Sequence, residues 1–187
     1  IIGMVGVISD MNSTSTLMFK HKGDMIFLIG RSCNDINGSD YATLWHNIPI
    51  SSPPHYNFRE EQEIQAITAQ IIQKKLIRSA HDVSNGGLFF ALLESAVPLE
   101  LGFDITSDAE IRKDAFLFSE AQSRIVVTVS PQKQDDFIDV MVDSGVPFSA
   151  LGHVTKGEIR IDDESYGYIT DLRKKFLTRF KQWLEEK

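Results

Sequence analysis

The stretch SAHDVSNGGL, Ser79 to Leu88, joins a short strand to an apolar helix through a polar, glycine-rich turn. It predicts a strand over 78–82 and a helix over 86–97. On both sides of this turn, strand-like and helix-like segments alternate along the chain without internal repeats. Such alternation is typical of a sheet covered by helices. We therefore predict an α/β (α+β) fold in which residues 1–187 form a single domain, with a mixed central sheet flanked by helices.

The other elements are predicted from hydrophobic spacing and residue type. β-Branched residues and glycines over 1–9 predict a buried strand, and the apolar run Met25–Ile29 predicts a central one. Apolar residues at helical spacing predict a long helix over 58–76. Further strands are expected over 13–19, 101–106, 123–130, 148–155, 158–161 and 166–170. Further helices are expected around 41–46, over 131–144, and from Asp171 onward, where Leu172, Phe176, Phe180, Trp183 and Leu184 share one side.

The composition is that of an ordinary globular domain, with 42% hydrophobic and 24% charged residues in a chain of 187. The net charge of -7 argues against a nucleic-acid partner, because phosphate binding needs clustered Lys and Arg. No apolar run of about 18 residues predicts a membrane span. Cys33 is the single cysteine, which excludes a disulfide framework and favours a reducing, cytoplasmic setting. The strand-like start without methionine indicates a piece cut from a longer protein.

The glycine-rich turn has the features of a phosphate and metal site. Backbone N–H groups at the start of a helix favour a phosphate oxygen, and Gly86 and Gly87 allow a ligand to approach closely. Asp82, at the end of the strand, is the kind of oxygen ligand that Mg²⁺ uses beside substrate phosphates. The alternative is an ordinary helix start, with Ser84 or Asn85 as the N-cap and the glycines needed only for packing.

A second polar segment, FSEAQSR from Phe118 to Arg124, leads directly into a buried strand. It places an acid, an amide and a guanidinium within a few residues at a strand terminus, where polar groups often line a crevice in α/β folds. The alternative is a buried salt bridge that fixes the turn. The histidines have neither the spacing nor the cysteine partners of a transition-metal site.

Taken in order, five blocks of the sequence resemble the C-terminal domain of the family that joins aminoimidazole ribonucleotide synthase, phosphoribosylformylglycinamidine synthase, selenophosphate synthetase and a hydrogenase maturation protein. The blocks are Ile2–Gly6, Gly23–Gly30, Gly38–Tyr41, His81–Leu88 and Phe118–Arg124. The resemblance covers nearly the whole chain and is strongest to the second such domain of the phosphoribosylformylglycinamidine synthases. It implies the mixed-sheet fold of the aminoimidazole ribonucleotide synthase C-terminal domain.

The resemblance also implies an activity for a parent enzyme. These synthases convert formylglycinamide ribonucleotide and glutamine-derived ammonia to the amidine in purine biosynthesis, using ATP and Mg²⁺. The implied partners are the remaining N-terminal domains of the same synthase, with a glutaminase and a small accessory subunit in the multi-subunit form. The family's catalytic histidine, adenine pocket and main metal ligands belong to other domains. The resemblance therefore assigns no catalytic residue here, and the isolated domain is expected to be inactive.

The site residues that the resemblance implies lie in two of the five blocks. Asp82 is expected to contact Mg²⁺, and the expected nucleotide-binding residues, for ATP or ADP, are Ser84, Gly86, Gly87, Glu120 and Gln122. Three departures from the family pattern, Asn85 for Asp, Ser119 for Gly and Ala121 for Ser, indicate a degenerate auxiliary site, the structural counterpart of the catalytic one. Two alternatives stay open: a domain of another member, such as selenophosphate synthetase, and a structural module that binds no ligand.

Overall fold

Seven strands form one mixed sheet, which confirms the predicted fold class. The computed structural model describes residues 3, 5–8, 10–54 and 56–185, with the backbone alone for 180–184. The strands are β1 Met25–Ile29, β2 Ser79–Asp82, β3 Gly102–Ile105, β4 Ile125–Val129, β5 Phe148–Thr155, β6 Glu158–Ile161 and β7 Glu164–Tyr168. Their order across the sheet is β2-β4-β1-β5-β3-β6-β7. β3 and β6 pair in parallel and the other neighbours pair antiparallel.

Five α-helices accompany the sheet in the described part of the chain, and capping residues mark the start of the first and the end of the fourth. They are α1 Phe58–Gln73, α2 Gly87–Ala96, α3 Lys113–Phe118, α4 Gln134–Ser144 and α5 Ile169–Glu185, with a π-helical turn at Tyr41–Trp45. α1 starts after Asn57, whose side-chain oxygen accepts hydrogen bonds from the Arg59 and Glu60 N–H groups at 3.0 and 3.4 Å. α4 ends at Gly145, which has the left-handed backbone typical of a helix C-terminus.

β1 divides the core because its side chains alternate between the two faces of the sheet. Ile26 and Leu28 pack on one face with α2 and α3. Phe27 and Ile29 pack on the other face with α1 and α4, where the Phe27 ring centroid lies 4.8 Å from that of Phe137. The buried isoleucines of α1 belong to this second cluster, as their helical spacing predicted. Helices therefore cover both faces of a single sheet.

Two predicted strands are not formed as expected among the described residues, and one short helix was not predicted. The strand over 1–9 is wrong for the residues that the structure describes, since Val5 and Val7 are fully exposed outside any strand. Residues 1, 2, 4 and 9 lie outside the described part. The strand over 13–19 reduces to one bridge between Thr16 and Ser79. α3 was not predicted, because its length is less than two helical turns and leaves little periodicity to detect.

The last helix is present, but it begins at Ile169, two residues before the predicted start at Asp171, which lies in its first turn. Leu172 packs against the first core cluster, while Phe176 is 43% exposed. The side chains of Phe180, Trp183 and Leu184 lie outside the described part. None of the described helices is both long enough and apolar enough to cross a membrane.

Candidate functional site

The two polar segments meet because β2 pairs antiparallel with β4. Antiparallel pairing places the carboxyl end of one strand beside the amino end of the other. Asp82, the last residue of β2, lies opposite Ile125, the first residue of β4. The Val83 N–H continues the ladder with a 2.9 Å hydrogen bond to the Arg124 carbonyl. The glycine-rich turn that follows β2 therefore lies against the polar segment that precedes β4.

Glu120 connects the glycine-rich turn to a third part of the chain. Its Oε1 atom accepts hydrogen bonds from the Gly86 N–H and the Asp40 N–H, both at 2.8 Å. Hydrogen bonds from backbone N–H groups to a carboxylate are among the stronger ones in proteins. The Gly86 N–H at the start of α2 is thus already hydrogen-bonded to the carboxylate of Glu120. A phosphate at this turn has to bind through other groups or displace Glu120.

Both turn glycines have a packing role in the structure. Gly87 has φ +72°, and a Cβ atom built on it would lie 2.6 Å from the Ser119 carbonyl oxygen and 2.7 Å from the Phe118 carbonyl carbon. Gly86 has φ +79° and approaches the ring of Phe90. α2 has Gly86 itself as its N-cap, without a side-chain capping bond, so neither Ser84 nor Asn85 caps the helix.

Four of the predicted site residues line one open cavity of about 230 Å³, which we call the Asp82 cavity. These residues are Asp82, Ser84, Glu120 and Gln122. Gly86 and Gly87 do not line it; they shape the adjacent turn. Sequence reasoning missed Glu61 of α1, which also lines the cavity and accepts a 2.6 Å hydrogen bond from the Ser123 hydroxyl. No sequence signal points to Glu61, since an acid in the first turn of a helix is ordinary.

Arg124 stabilises the segment around Glu120 through backbone carbonyls. Its side chain is buried, and its Nε and Nη2 atoms donate to the carbonyls of Ala121 at 3.2 Å and Ser119 at 2.5 Å. Burial lowers the pKa of the guanidinium. The buried salt bridge that the sequence left open as an alternative is not formed by Arg124 and Glu120: the guanidinium donates to backbone carbonyls, while Glu120 accepts from backbone N–H groups.

The Asp82 cavity is acidic, because the carboxylates of Glu61, Asp82 and Glu120 line it together with the single cation Arg124. Within the described ranges, no group of three His, Cys, Asp or Glu side chains is arranged to hold a metal ion. A Mg²⁺ ion at Asp82 therefore fits only if phosphate and water oxygens complete its coordination, which is the usual manner of Mg²⁺ beside nucleotides.

Replacing Glu120 by Ala is expected to lower the free energy of unfolding by about 1–3 kcal/mol, because two backbone N–H groups lose their shared acceptor. Denaturant unfolding of the purified chain measures this loss. The matched control is Glu120→Gln, whose amide oxygen can still accept both bonds and which should retain most of the stability. Equal losses in the two variants would show that the negative charge, rather than the shared acceptor, holds the turn.

The chain is similar to known proteins over most of its length. Residues 21–163 match the family described as AIR synthase related protein, C-terminal domain. A curated relative, the phosphoribosylformylglycinamidine synthase subunit PurL of Caldanaerobacter subterraneus subsp. tengcongensis, is 36% identical over 162 residues, which are 87% of this chain and 22% of that protein. The chain thus spans about a fifth of the length of this relative.

Solved structures of Thermotoga maritima PurL have the same fold. The structure complexed with FGAR matches with a TM-score of 0.71 at 15% identity, over 87% of this chain and 30% of that chain. The structure complexed with ATP matches with a TM-score of 0.66 at 16% identity, over 87% and 28% of the two chains. Identities this low establish the shared fold and leave the site to be argued from its own residues.

Proposed function

The chain belongs to the AIR synthase related protein family, C-terminal domain, and from that premise we propose that residues 1–187 form this domain of a phosphoribosylformylglycinamidine synthase. The parent enzyme would convert formylglycinamide ribonucleotide and glutamine-derived ammonia to the amidine at the expense of ATP. The name of the curated relative supports this assignment over a domain of selenophosphate synthetase. The proposal keeps the cytoplasmic setting predicted from the cysteine content.

Within that enzyme, we assign to this domain one wall of a nucleotide site. The observation that carries the assignment is the convergence of Asp82, Ser84, Glu120 and Gln122 on one cavity from two separate segments. Asp82 would bind Mg²⁺, and the ion would offset the negative charge of the phosphates. The Ser84 hydroxyl and the Gln122 amide would donate hydrogen bonds to phosphate oxygens.

The remaining site residues act on the shape of the turn. Glu120 holds Gly86 in place through its N–H, and Gly87 lets the turn lie against the backbone of Ser119. No residue of this chain is assigned to the chemical step, which we leave to the other domains of the parent. The proposed partners are those domains, with a glutaminase and a small accessory subunit in the multi-subunit form.

Binding of ATP to this chain should depend strongly on Mg²⁺. Three carboxylates line the Asp82 cavity, so the phosphates alone are repelled. Calorimetric titration should give weak binding of Mg·ATP, because one wall leaves much of the ligand in water. Affinity should fall at least about tenfold when EDTA removes the metal, which corresponds to about 1.4 kcal/mol. The same preparation should form no amidine from formylglycinamide ribonucleotide, ATP and ammonia.

The matched variants are Asp82→Asn in the cavity and Asp136→Asn on the exposed start of α4. Asp82→Asn should weaken Mg·ATP binding about tenfold, and Asp136→Asn should leave it unchanged. Equal affinities for ATP with Mg²⁺ and with EDTA, or equal effects of the two variants, would reject the Asp82 cavity as the nucleotide site.

A further inference from the structure

A second cavity, of about 630 Å³, opens on the other side of the glycine-rich turn. Its apolar wall consists of Tyr41, Leu44, Trp45, Phe90 and Phe118, and we call it the aromatic cavity. Its volume lies within the range of roughly 300–1,000 Å³ that is typical of small-molecule sites. The Asp82 cavity and the aromatic cavity share only Asn85 among the residues that line them.

The aromatic wall offers flat surfaces to a ligand. The rings of Tyr41 and Phe118 stack with centroids 4.8 Å apart and an angle of 19° between their planes. Leu44 and Trp45 remain 76% and 74% exposed, which is unusual for large apolar side chains beside an aromatic stack. Planar rings bind well to such surfaces, because stacking on an aromatic side chain contributes about 1–3 kcal/mol for a nucleic-acid base.

The charged side chains on the lining of the cavity are carboxylates, beside the uncharged amide of Asn85 and the hydroxyl of Tyr41. These carboxylates belong to Asp40 and Glu94. Among the described lining residues there is no Lys, Arg or His. Glu94 is 43% exposed and lies 3.4 Å from the His81 Nε2 atom. A bound ring therefore needs N–H donors at its edge, and phosphate or carboxylate groups on it would be repelled.

The cavity is formed before any ligand arrives. Glu120 joins the Asp40 N–H to the Gly86 N–H through one oxygen atom, which fixes the π-helical turn against the start of α2. Tyr41 and Phe118 hold the same two elements together through their stacked rings. The backbone around the cavity therefore loses little conformational entropy when a ligand binds.

We propose that the aromatic cavity binds a planar heteroaromatic ring that carries amino groups. The ring stacks on the aromatic wall, and its amino groups donate hydrogen bonds to the carboxylates of Asp40 and Glu94. This inference rests on the aromatic cavity alone and does not require the nucleotide site at Asp82, so either can fail independently. Neither phosphate nor metal takes part in the binding.

The test uses adenosine, which has an amino group and no phosphate, and inosine, which has a carbonyl in place of that amino group. Calorimetric titration of the complete chain should give adenosine an affinity at least about tenfold higher than inosine, because inosine turns a carbonyl oxygen toward one carboxylate and has only its N1–H to donate at that edge. EDTA should not change either affinity. Asp82→Asn should leave adenosine binding unchanged, which separates this site from the one proposed above.

Two variants report on the two halves of the cavity. Trp45→Ala should weaken the binding of adenosine and of inosine by about tenfold each, because the bound ring loses its stacking on the indole. Asp40→Asn keeps the backbone N–H that Glu120 binds, and it should remove most of the preference for adenosine. Unfolding curves equal to wild type confirm that both variants keep their fold.

Three results would overturn the inference. One is equal affinity for adenosine and inosine, and another is the lack of measurable binding of either. The third is reversible self-association of the chain that Trp45→Ala abolishes, since the aromatic cavity would then be a contact between two copies. Light scattering over a range of protein concentrations measures this last outcome.

Discussion

Replacing Arg78 by Ala is expected to lower the free energy of unfolding by about 3–5 kcal/mol at neutral pH, because it leaves a buried carboxylate without its counter-charge. Asp24 is 1% exposed, and its Oδ1 atom lies 2.6 Å from Nη1 of Arg78. Its Oδ2 atom has no hydrogen-bond partner among the described residues, so Arg78 supplies most of what balances the charge. Asp24 immediately precedes β1, the strand on which both core clusters are built.

The loss should become smaller as the pH is lowered. Burial raises the pKa of Asp24 above its ordinary value, against the opposing contact with Arg78. A carboxyl group whose pKa is raised by folding binds its proton more tightly in the folded state. The stabilisation that this tighter proton binding provides is fully present below the pKa of the unfolded state. It is lost as the pH rises through the pKa of the folded state. Without Arg78 that pKa rises further, so protonation restores part of the stability between pH 7 and about pH 4.

The measurement is urea unfolding of wild type and Arg78→Ala at several pH values. Arg59→Ala is the matched control, because Arg59 forms a 2.9 Å pair with Glu63 while its side chain is 87% exposed. An exposed pair contributes less than about 1 kcal/mol. If the two variants lost the same free energy, or if the Arg78→Ala deficit stayed constant with pH, Asp24 would not be a buried unpaired charge in the variant.

Replacing Gly87 by Ala should cost about 2–5 kcal/mol, because the new methyl group meets rigid backbone in a strained conformation. The atoms it would meet belong to Leu117, Phe118 and Ser119, at 2.6–2.8 Å. They are backbone atoms at the end of α3, so no flexible side chain can move aside. Relief requires α2 and α3 to separate, which also moves Glu120 away from Gly86.

Gly145→Ala is the control that isolates the contact from the backbone strain. Gly145 has φ +68°, close to the +72° of Gly87, but nothing lies within 4 Å of a Cβ atom built on it. Its substitution should cost about 1–2 kcal/mol, from the left-handed backbone alone. Thermal and urea unfolding of both variants give the difference. Equal losses would show that the α2–α3 contact yields easily and that Gly87 is needed only for its backbone conformation.

The sequence by itself determined the elements whose signal is local. Met25–Ile29 was predicted as a central strand because a continuous apolar run suits a strand buried on both faces. The 58–76 helix was predicted because its isoleucines repeat with the period of the α-helix. The mixed sheet follows from the alternation of such segments. The ordered blocks also identified the family, since five motifs in sequence are far more specific than one.

Tertiary structure decided the pairing of these elements, and with it the site. The residues of the Asp82 cavity come together because β2 pairs with β4, and hydrophobic periodicity does not specify which strands become neighbours. Glu61 joins the cavity through the packing of α1, and the Glu120 bond to Asp40 spans 80 positions of the chain. The described residues of the strand predicted over 1–9, residues 3 and 5–8, are not in a strand for the same reason: β-branched residues favour an extended backbone, but a strand forms only where another strand supplies its hydrogen bonds.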